Sequence, residues 1–226
     1  MTRTKWLTLS LAKSTSEISD LLYTQKYLRG HATGFELTDV QRNRIRGKFI
    51  EEIIVNEVII DPFGEEVLNN VRRYSIFEFQ ISPLKKHQFL VRINNPPRTL
   101  KNFIAALTEA FGFGFAIEQL NIDILAMIQH LRRTSDIKRW AIVRVRMANI
   151  PLGNSSLAKI EVLSNGDAYQ DLQKCMDVKK ATLERATVEL TDNDITNQIE
   201  LVSTGVISGE MEVLDQLMPM FQTYFD

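Results

Sequence analysis

The feature that most constrains this chain is the order in which its strand and helix patterns follow one another. Short runs with period-two alternation are interspersed with runs of helical period. They never settle into the regular strand–helix–strand cadence of a doubly wound parallel sheet. This implies an α+β fold: a mixed, largely antiparallel sheet flanked by helices, with two subdomains as one form of it. No internal repeat is visible.

The segments read as follows. Trp6 to Ala12 alternates as a half-buried strand with Leu7, Leu9 and Leu11 on one face. Ser14 and Glu17 form a capping-box signature, and the helix after them carries Ile18, Leu21, Leu22 and Leu28, with Gly30 as its stop. His31 to Lys48 is polar and basic without a clear period and reads as an exposed loop. Phe49 to Ile60 is rich in isoleucine and valine, and Asp61-Pro62-Phe63-Gly64 is a turn signal. Glu65 to Arg73 fits either a short helix or a returning strand. Tyr74 to Ile81 is a strand ended by Ser82-Pro83. Phe89, Val91 and Ile93 alternate, Asn94 to Pro97 breaks that strand, and Thr99 caps a helix bearing Phe103, Ile104, Leu107 and Phe111 up to Gly112. Phe113 to Ile117 is a strand. Asn121 to Arg133 is a helix with Ile124, Leu125, Ile128 and Leu131 inward.

Trp140 to Met147 is a strand with Arg144 and Arg146 on one face and Val143 and Val145 on the other. Pro151 to Ser156 reads as a loop and as a subdomain boundary, dividing the chain into residues 1–150 and 151–226. Ala158 to Leu163 is a strand, Asn165-Gly166 a turn, and Asp167 to Met176 a short helix. Arg185 to Leu190 and Gln198 to Ser203 form a hairpin pair around residues 192–194. Ser208 caps a last helix with Val213, Leu214, Leu217 and Phe221, and Pro219 interrupts it.

Composition matters for what it excludes. With 44% hydrophobic and 24% charged residues the 226-residue chain is of ordinary globular make-up, large enough for one sizeable core or two small ones. Its single cysteine, Cys175, rules out an intramolecular disulfide and fits a reducing, cytoplasmic setting. No apolar run approaches the roughly 18 residues of a membrane-spanning helix, so no membrane insertion is expected. Met1 to Lys13 lacks the long apolar core and cleavage site of a signal peptide and reads as a first strand.

The sequence carries no recognisable enzyme signature. His31, His87 and His130 lack metal-ligand spacing, and one cysteine makes a structural zinc site improbable, so no metal or cofactor is expected. Gly112-Phe113-Gly114 follows a helix and precedes a strand, the reverse of a phosphate-binding loop. Gly205 and Gly209 lack the Lys-Ser/Thr of a P-loop. Cys175 has no neighbouring histidine and reads as a buried or half-buried thiol. Asp61 and Glu78, with Lys85 and Lys86 beyond, imitate a magnesium-dependent nuclease centre, but Gln80 stands where such a centre has lysine. No catalytic residue is therefore assigned.

The charge distribution is more informative than the net charge of −1. All 27 lysines and arginines lie before Ala186, while eight of the 28 acids lie after Arg185, leaving about +7 on the body and −8 on the C-terminal segment. Arg42, Arg44, Arg46 and Lys48 form one basic cluster. Arg132, Arg133, Lys138, Arg139, Arg144 and Arg146 form a second, against one acid, Asp136. Strand parity puts Trp140 on the Arg144 face, where it would stack on a base or pack inward. Such clusters bind nucleic acid because each phosphate contact releases condensed counterions. The competing reading is a solvated face neutralised by the acidic segment.

The strand Phe89-Leu90-Val91, the Pro96-Pro97-Arg98-Thr99 break, the helix Leu100 to Leu107, the run Ala116 to Leu120 and the basic strand Arg144-Val145-Arg146 together resemble the RexA-like phage-exclusion proteins encoded by prophages. Arg185 to Glu189 through Gly205 adds a second stretch. The likeness covers under half of the chain, spares its N-terminal third and transfers no site residues. It implies an antiviral defence sensor that binds DNA as a homodimer and acts through a protein partner. The expectation from the whole sequence is a non-catalytic regulatory or defence protein that binds DNA or RNA through its two basic clusters. The alternatives are a protein-interaction subunit without nucleic acid, built on the methionine- and aromatic-rich C-terminal helix, and the nuclease around Asp61 and Glu78.

Overall fold

Local sequence sets the first two elements directly. The alternation expected around Trp6 becomes strand β1 (Thr2–Leu11), with Trp6, Leu7, Leu9 and Leu11 buried. The capping box forms as expected: Ser14 accepts the backbone N–H of Glu17, whose carboxylate accepts the backbone N–H of Ser14 at 2.7 Å. It starts helix α1 (Thr15–Thr24). The structure, a computed structural model, describes residues 1–60, 62–152, 155–192 and 195–225. It shows an α+β fold whose registered strand pairings are antiparallel. Contacts divide the chain into two units: an inserted unit, Leu9–Ile117, and a flanking unit, Met1–Thr8 with Glu118–Asp226.

In the inserted unit α1 ends six residues before Gly30. Gln25 caps it, and the next backbone groups pair with a strand: Tyr27 N donates to Phe35 O and Phe35 N to Gln25 O, each at 2.9 Å. Gly34 is required here, since a Cβ on it would lie 2.5 Å from Tyr27 Cα. The expected loop at 31–48 is instead two strands, β2 (Thr33–Gln41) and β3 (Arg44–Ile60), joined at Arg42-Asn43. Alternation was present in Ile45, Gly47 and Phe49, all buried, but the arginines between them masked it.

The ambiguous 65–73 segment is strand, part of β4 (Glu66–Lys85), which pairs with β3 along its length from Ile60↔Glu66 to Ile45↔Ile81. Pro83 does not end β4. It lies past the end of the β3 pairing and beside a register shift against β5 (Gln88–Asn94), where no ladder bond needs its missing N–H. The strand order is β2-β3-β4-β5, with the end of β1 beside β5.

Helix α2 (Lys101–Phe111) packs on α1 and β2. Thr99 Oγ1 accepts from Lys101 N but Leu100 is the residue at the cap. Phe103 anchors this core among Phe35, Phe49, Phe77 and Phe79, with ring centroids 5.4–6.0 Å away. Strand β6 (Phe115–Gln119) follows and pairs with β1.

The flanking unit contains helix α3 (Ile124–Thr134), which starts three residues later than expected and is capped by Asp123, and strand β7 (Arg139–Leu152). On α3 Met127, not Leu125, is among the fully buried residues. Strand β8 (Ser156–Leu163), helix α4 (Ala168–Cys175), strands β9 (Thr182–Asp192), β10 (Ile195–Val202) and β11 (Val206–Gly209), and helix α5 (Met211–Phe225) complete it. Strand order is β1-β11-β10-β9-β7-β8. Of the expected 151–156 loop, residues 153 and 154 lie outside the described residues, and Pro151, Leu152 and Ser156 belong to strands, with Leu152 opposite Ser156.

Ser208 caps no helix: it is buried in β11, opposite Arg3 and Glu200. The four apolar residues expected to face inward from α5 do so, and Phe221 meets the buried Trp6 edge-on at 5.8 Å. Pro219 sits inside α5. Between β10 and β11, Gly205 has φ +75° and a Cβ there would come within 2.8 Å of the Leu120 and Trp6 carbonyls, so this glycine serves close packing and not a nucleotide.

Candidate nucleic-acid interface

The two basic clusters fall in different units, and each has its own surroundings. In the inserted unit, Arg42 is exposed in the β2–β3 turn. Arg44, Arg46 and Lys48 project from alternate positions of β3, on the side away from Ile45 and Phe49. They are not solvated loop cations. Arg44 pairs with Asp39 at 2.7 Å, Arg46 Nε donates to Gln80 Oε1 at 3.0 Å, and Lys48 stands opposite Glu36 on β2 and Glu78 on β4. Within this cluster Arg44 is ion-paired and Arg46 is hydrogen-bonded to a neutral amide, while Arg42 is exposed in the turn.

Glu78, proposed from sequence as a nuclease carboxylate, belongs to the same arrangement, and Asn94 Nδ2 donates to it at 3.4 Å. Asp61 lies outside the described residues. Among the described residues no three His, Cys, Asp or Glu side chains converge as a metal site.

The second cluster divides between two layers of the flanking unit. Arg132 and Arg133 occupy the last turn of α3, where cations favour the negative end of the helix dipole. Arg132 also donates to the Trp140 carbonyl at 3.2 Å. Lys138 is exposed in the connection to β7. The remaining three share one sheet face. A register shift between Ile142 and Arg144 against β9 inserts one extra residue at Val143. Parity therefore changes there. Arg139, opposite Thr191, projects on the same side as Arg144, opposite Thr187, and Arg146, opposite Arg185. Trp140 lies on the other side with the buried Ile142, against Leu190 and Val188, and its indole N–H donates to Ile137 O at 3.2 Å. The sequence expectation that Trp140 joins Arg144 fails because the bulge resets the alternation.

That outward face also carries cations that periodicity did not single out. Lys159 comes from β8, Arg185 from β9, and Arg3 and Lys5 from β1 through its pairing with β11. Lys5 donates to Thr204 O at 2.7 Å, and burial, with the Arg3 charge adding to it, holds its pKa below the ordinary lysine range. An open cavity of about 590 Å³ lies on this face, lined in part by Arg144, Leu163, Thr187, Glu189, Gln198 and Glu200.

Acids are interspersed. Arg144 lies 3.6 Å from Glu161, Arg146 is 3.6 Å from Glu184, Lys159 reaches Glu184 at 2.5 Å, and Arg185 reaches Glu200 at 3.3 Å. Glu189 and Glu200 belong to the acidic C-terminal segment, so part of the charge asymmetry seen in sequence is neutralised within the fold. These partly exposed pairs are weak, of the order of 0–1 kcal/mol each, and open to exchange for phosphate.

The other candidate groups have ordinary settings. His130 Nε2 lies 3.1 Å from both Met220 O and Thr223 Oγ1. Cys175 is exposed, not buried: it is the last residue of the short helix α4. No helix among the described residues is long and apolar enough to cross a membrane. No protein-family model matches the chain, and no curated protein is significantly similar to it.

Proposed function

We propose that this protein is a non-catalytic nucleic-acid-binding regulatory protein that tracks the phosphate backbone with the outward sheet face of its flanking unit. The observation that carries the reading is the convergence of Arg139, Arg144 and Arg146 with Lys159, Arg185, Arg3 and Lys5 on that one face. Cations spaced along adjacent strands suit a polyanion, and each phosphate contact would release counterions. Trp140 points inward and cannot stack on a base, which favours backbone contact with little sequence preference. The resemblance to RexA-like exclusion proteins supports DNA as the ligand and a role in phage defence through a protein partner. The lone exposed thiol, Cys175, suits work in the reducing cytoplasm.

Fluorescence anisotropy with labelled DNA and RNA over a salt series tests this. Affinity should fall steeply as salt rises, and Arg144→Ala/Arg146→Ala should weaken binding and flatten the log–log slope by about two. Absent or salt-independent binding would overturn the reading.

A second reading, a protein-interaction subunit, draws on two surfaces. On helix α5 Phe221 is in the core, while Met211, Met218, Met220, Tyr224 and Phe225 are half-buried. The far part of the β3–β4 hairpin also exposes Ile54, Ile60 and Leu68.

A further inference from the structure

Strands β3 and β4 run on together well past their neighbours. Pairing of β2 with β3 ends at Thr33↔Glu51, and pairing of β5 with β4 ends at Phe79↔Ile93. From Glu52 to Ile60 and from Glu66 to Tyr74 the two strands form a two-stranded ribbon. Each of its faces exposes apolar side chains among polar ones: Ile54, Val58 and Leu68 on one, Ile53, Ile59 and Val67 on the other. An isolated ribbon of this kind is marginal in water, and natural edge strands are usually blunted by lysine, proline or a bulge. Residues 66–74 hold no lysine and no proline, and their register against β3 is unbroken.

We infer that the outer edge of β4 pairs antiparallel with the same edge of a second copy of this chain, about a twofold axis at Asn69. The charge order of the strand selects this occupant and this register. Acids stand at one end, Glu65 and Glu66, and arginines at the other, Arg72 and Arg73, with Val67, Leu68 and Val71 between. Placing Asn69 opposite Asn69 sets Glu66 across from Arg72 of the second copy, Glu65 across from Arg73, and Val67 across from Val71.

A one-residue shift is forbidden, because opposed residues in an antiparallel ladder must turn their backbone groups the same way toward or away from each other. A two-residue shift puts Glu66 opposite Asn70 or Tyr74 and loses the ion pairs. The β3 edge offers no such match, since Glu52 to Ile60 contains acids and no cation. Within its own chain Arg72 already lies 3.6 Å from Glu52, and Arg73 lies 3.1 Å from Glu57. In the pair each arginine would sit between acids of both copies. The contact is isologous and closes on itself, so it yields a dimer and not a fibre. It stands independently of the nucleic-acid reading.

Sedimentation velocity of the full chain tests the pairing. The unaltered protein should sediment as a dimer that dissociates on dilution. Glu66→Arg alone and Arg72→Glu alone should each give monomer, because each places like charges across the seam. Mixing these two single variants should regenerate a dimer, which a folding defect could not do. The double variant Glu66→Arg/Arg72→Glu should also dimerise. A monomeric unaltered protein, a dimer indifferent to both single substitutions, or single variants that stay monomeric when mixed would overturn the inference.

Discussion

Single residues hold the two cores in different ways. Phe103 is 1% exposed and meets four other phenylalanines, so Phe103→Ala would remove both its own buried surface and the contacts of its neighbours. A loss of about 3–5 kcal/mol is expected, measured by denaturant unfolding. Gly205→Ala should destabilise for another reason: its Cβ would meet two backbone carbonyls that cannot move aside as a side-chain tip can. At the α1 cap, hydrogen bonds from the Ser14 backbone and hydroxyl hold Glu17 below the usual carboxylate range. A carboxylate whose pKa is depressed in the fold adds stability above its unfolded value and loses it as pH falls through the folded value. Glu17→Gln should therefore lower the melting temperature at neutral pH, and the difference should vanish in acid.

Among elements, β7 and the β3–β4 ribbon decide how the surface is used. One extra residue at Val143 turns Trp140 inward and leaves Arg139 beside Arg144 and Arg146. If this bulge sets the binding face, Arg139→Ala should weaken nucleic-acid affinity in the same salt-dependent way as the Arg144/Arg146 pair, whereas Arg133→Ala on α3 should have the smaller effect. Anisotropy of each single variant at one salt concentration separates them. The ribbon is held at its base by β2 and β5 but is alone beyond Glu52 and Tyr74. Its exposed amides should exchange quickly in dilute monomer and be protected in dimer along β4 and not along the outer edge of β3, as hydrogen exchange would read.

At the scale of the whole molecule, the chain passes between its units inside β1, at Thr8/Leu9, and again at Ile117/Glu118. Each unit has its own core: the phenylalanine cluster in one, and Trp6, Phe221 and the inward residues of β7, β9 and β10 in the other. The basic-body, acidic-tail asymmetry does not survive as two opposed surfaces. Acids of the last 41 residues enter β9, β10 and α5, and two of them, Glu189 and Glu200, reach the face that carries Arg144.

Much of the local structure was determined by sequence alone. Leu7, Leu9 and Leu11, the Ser14–Glu17 box, Phe103, Leu107 and Phe111 of α2 (though not the exposed Ile104), and the inward residues of α5 follow from period and capping, which act within a few residues. So did the α+β class, because the order of strand and helix runs is a property of the chain. Tertiary structure decided the rest. Arg44, Arg46 and Lys48 become strand residues only because β2 and β4 supply partners on either side. Trp140 turns inward through a bulge that exists only in register with β9. Lys5, Lys159 and Arg185 join Arg144 across strands far apart in sequence. Pairing between distant segments sets register and hence which side of a sheet each side chain occupies, and no local pattern carries that information.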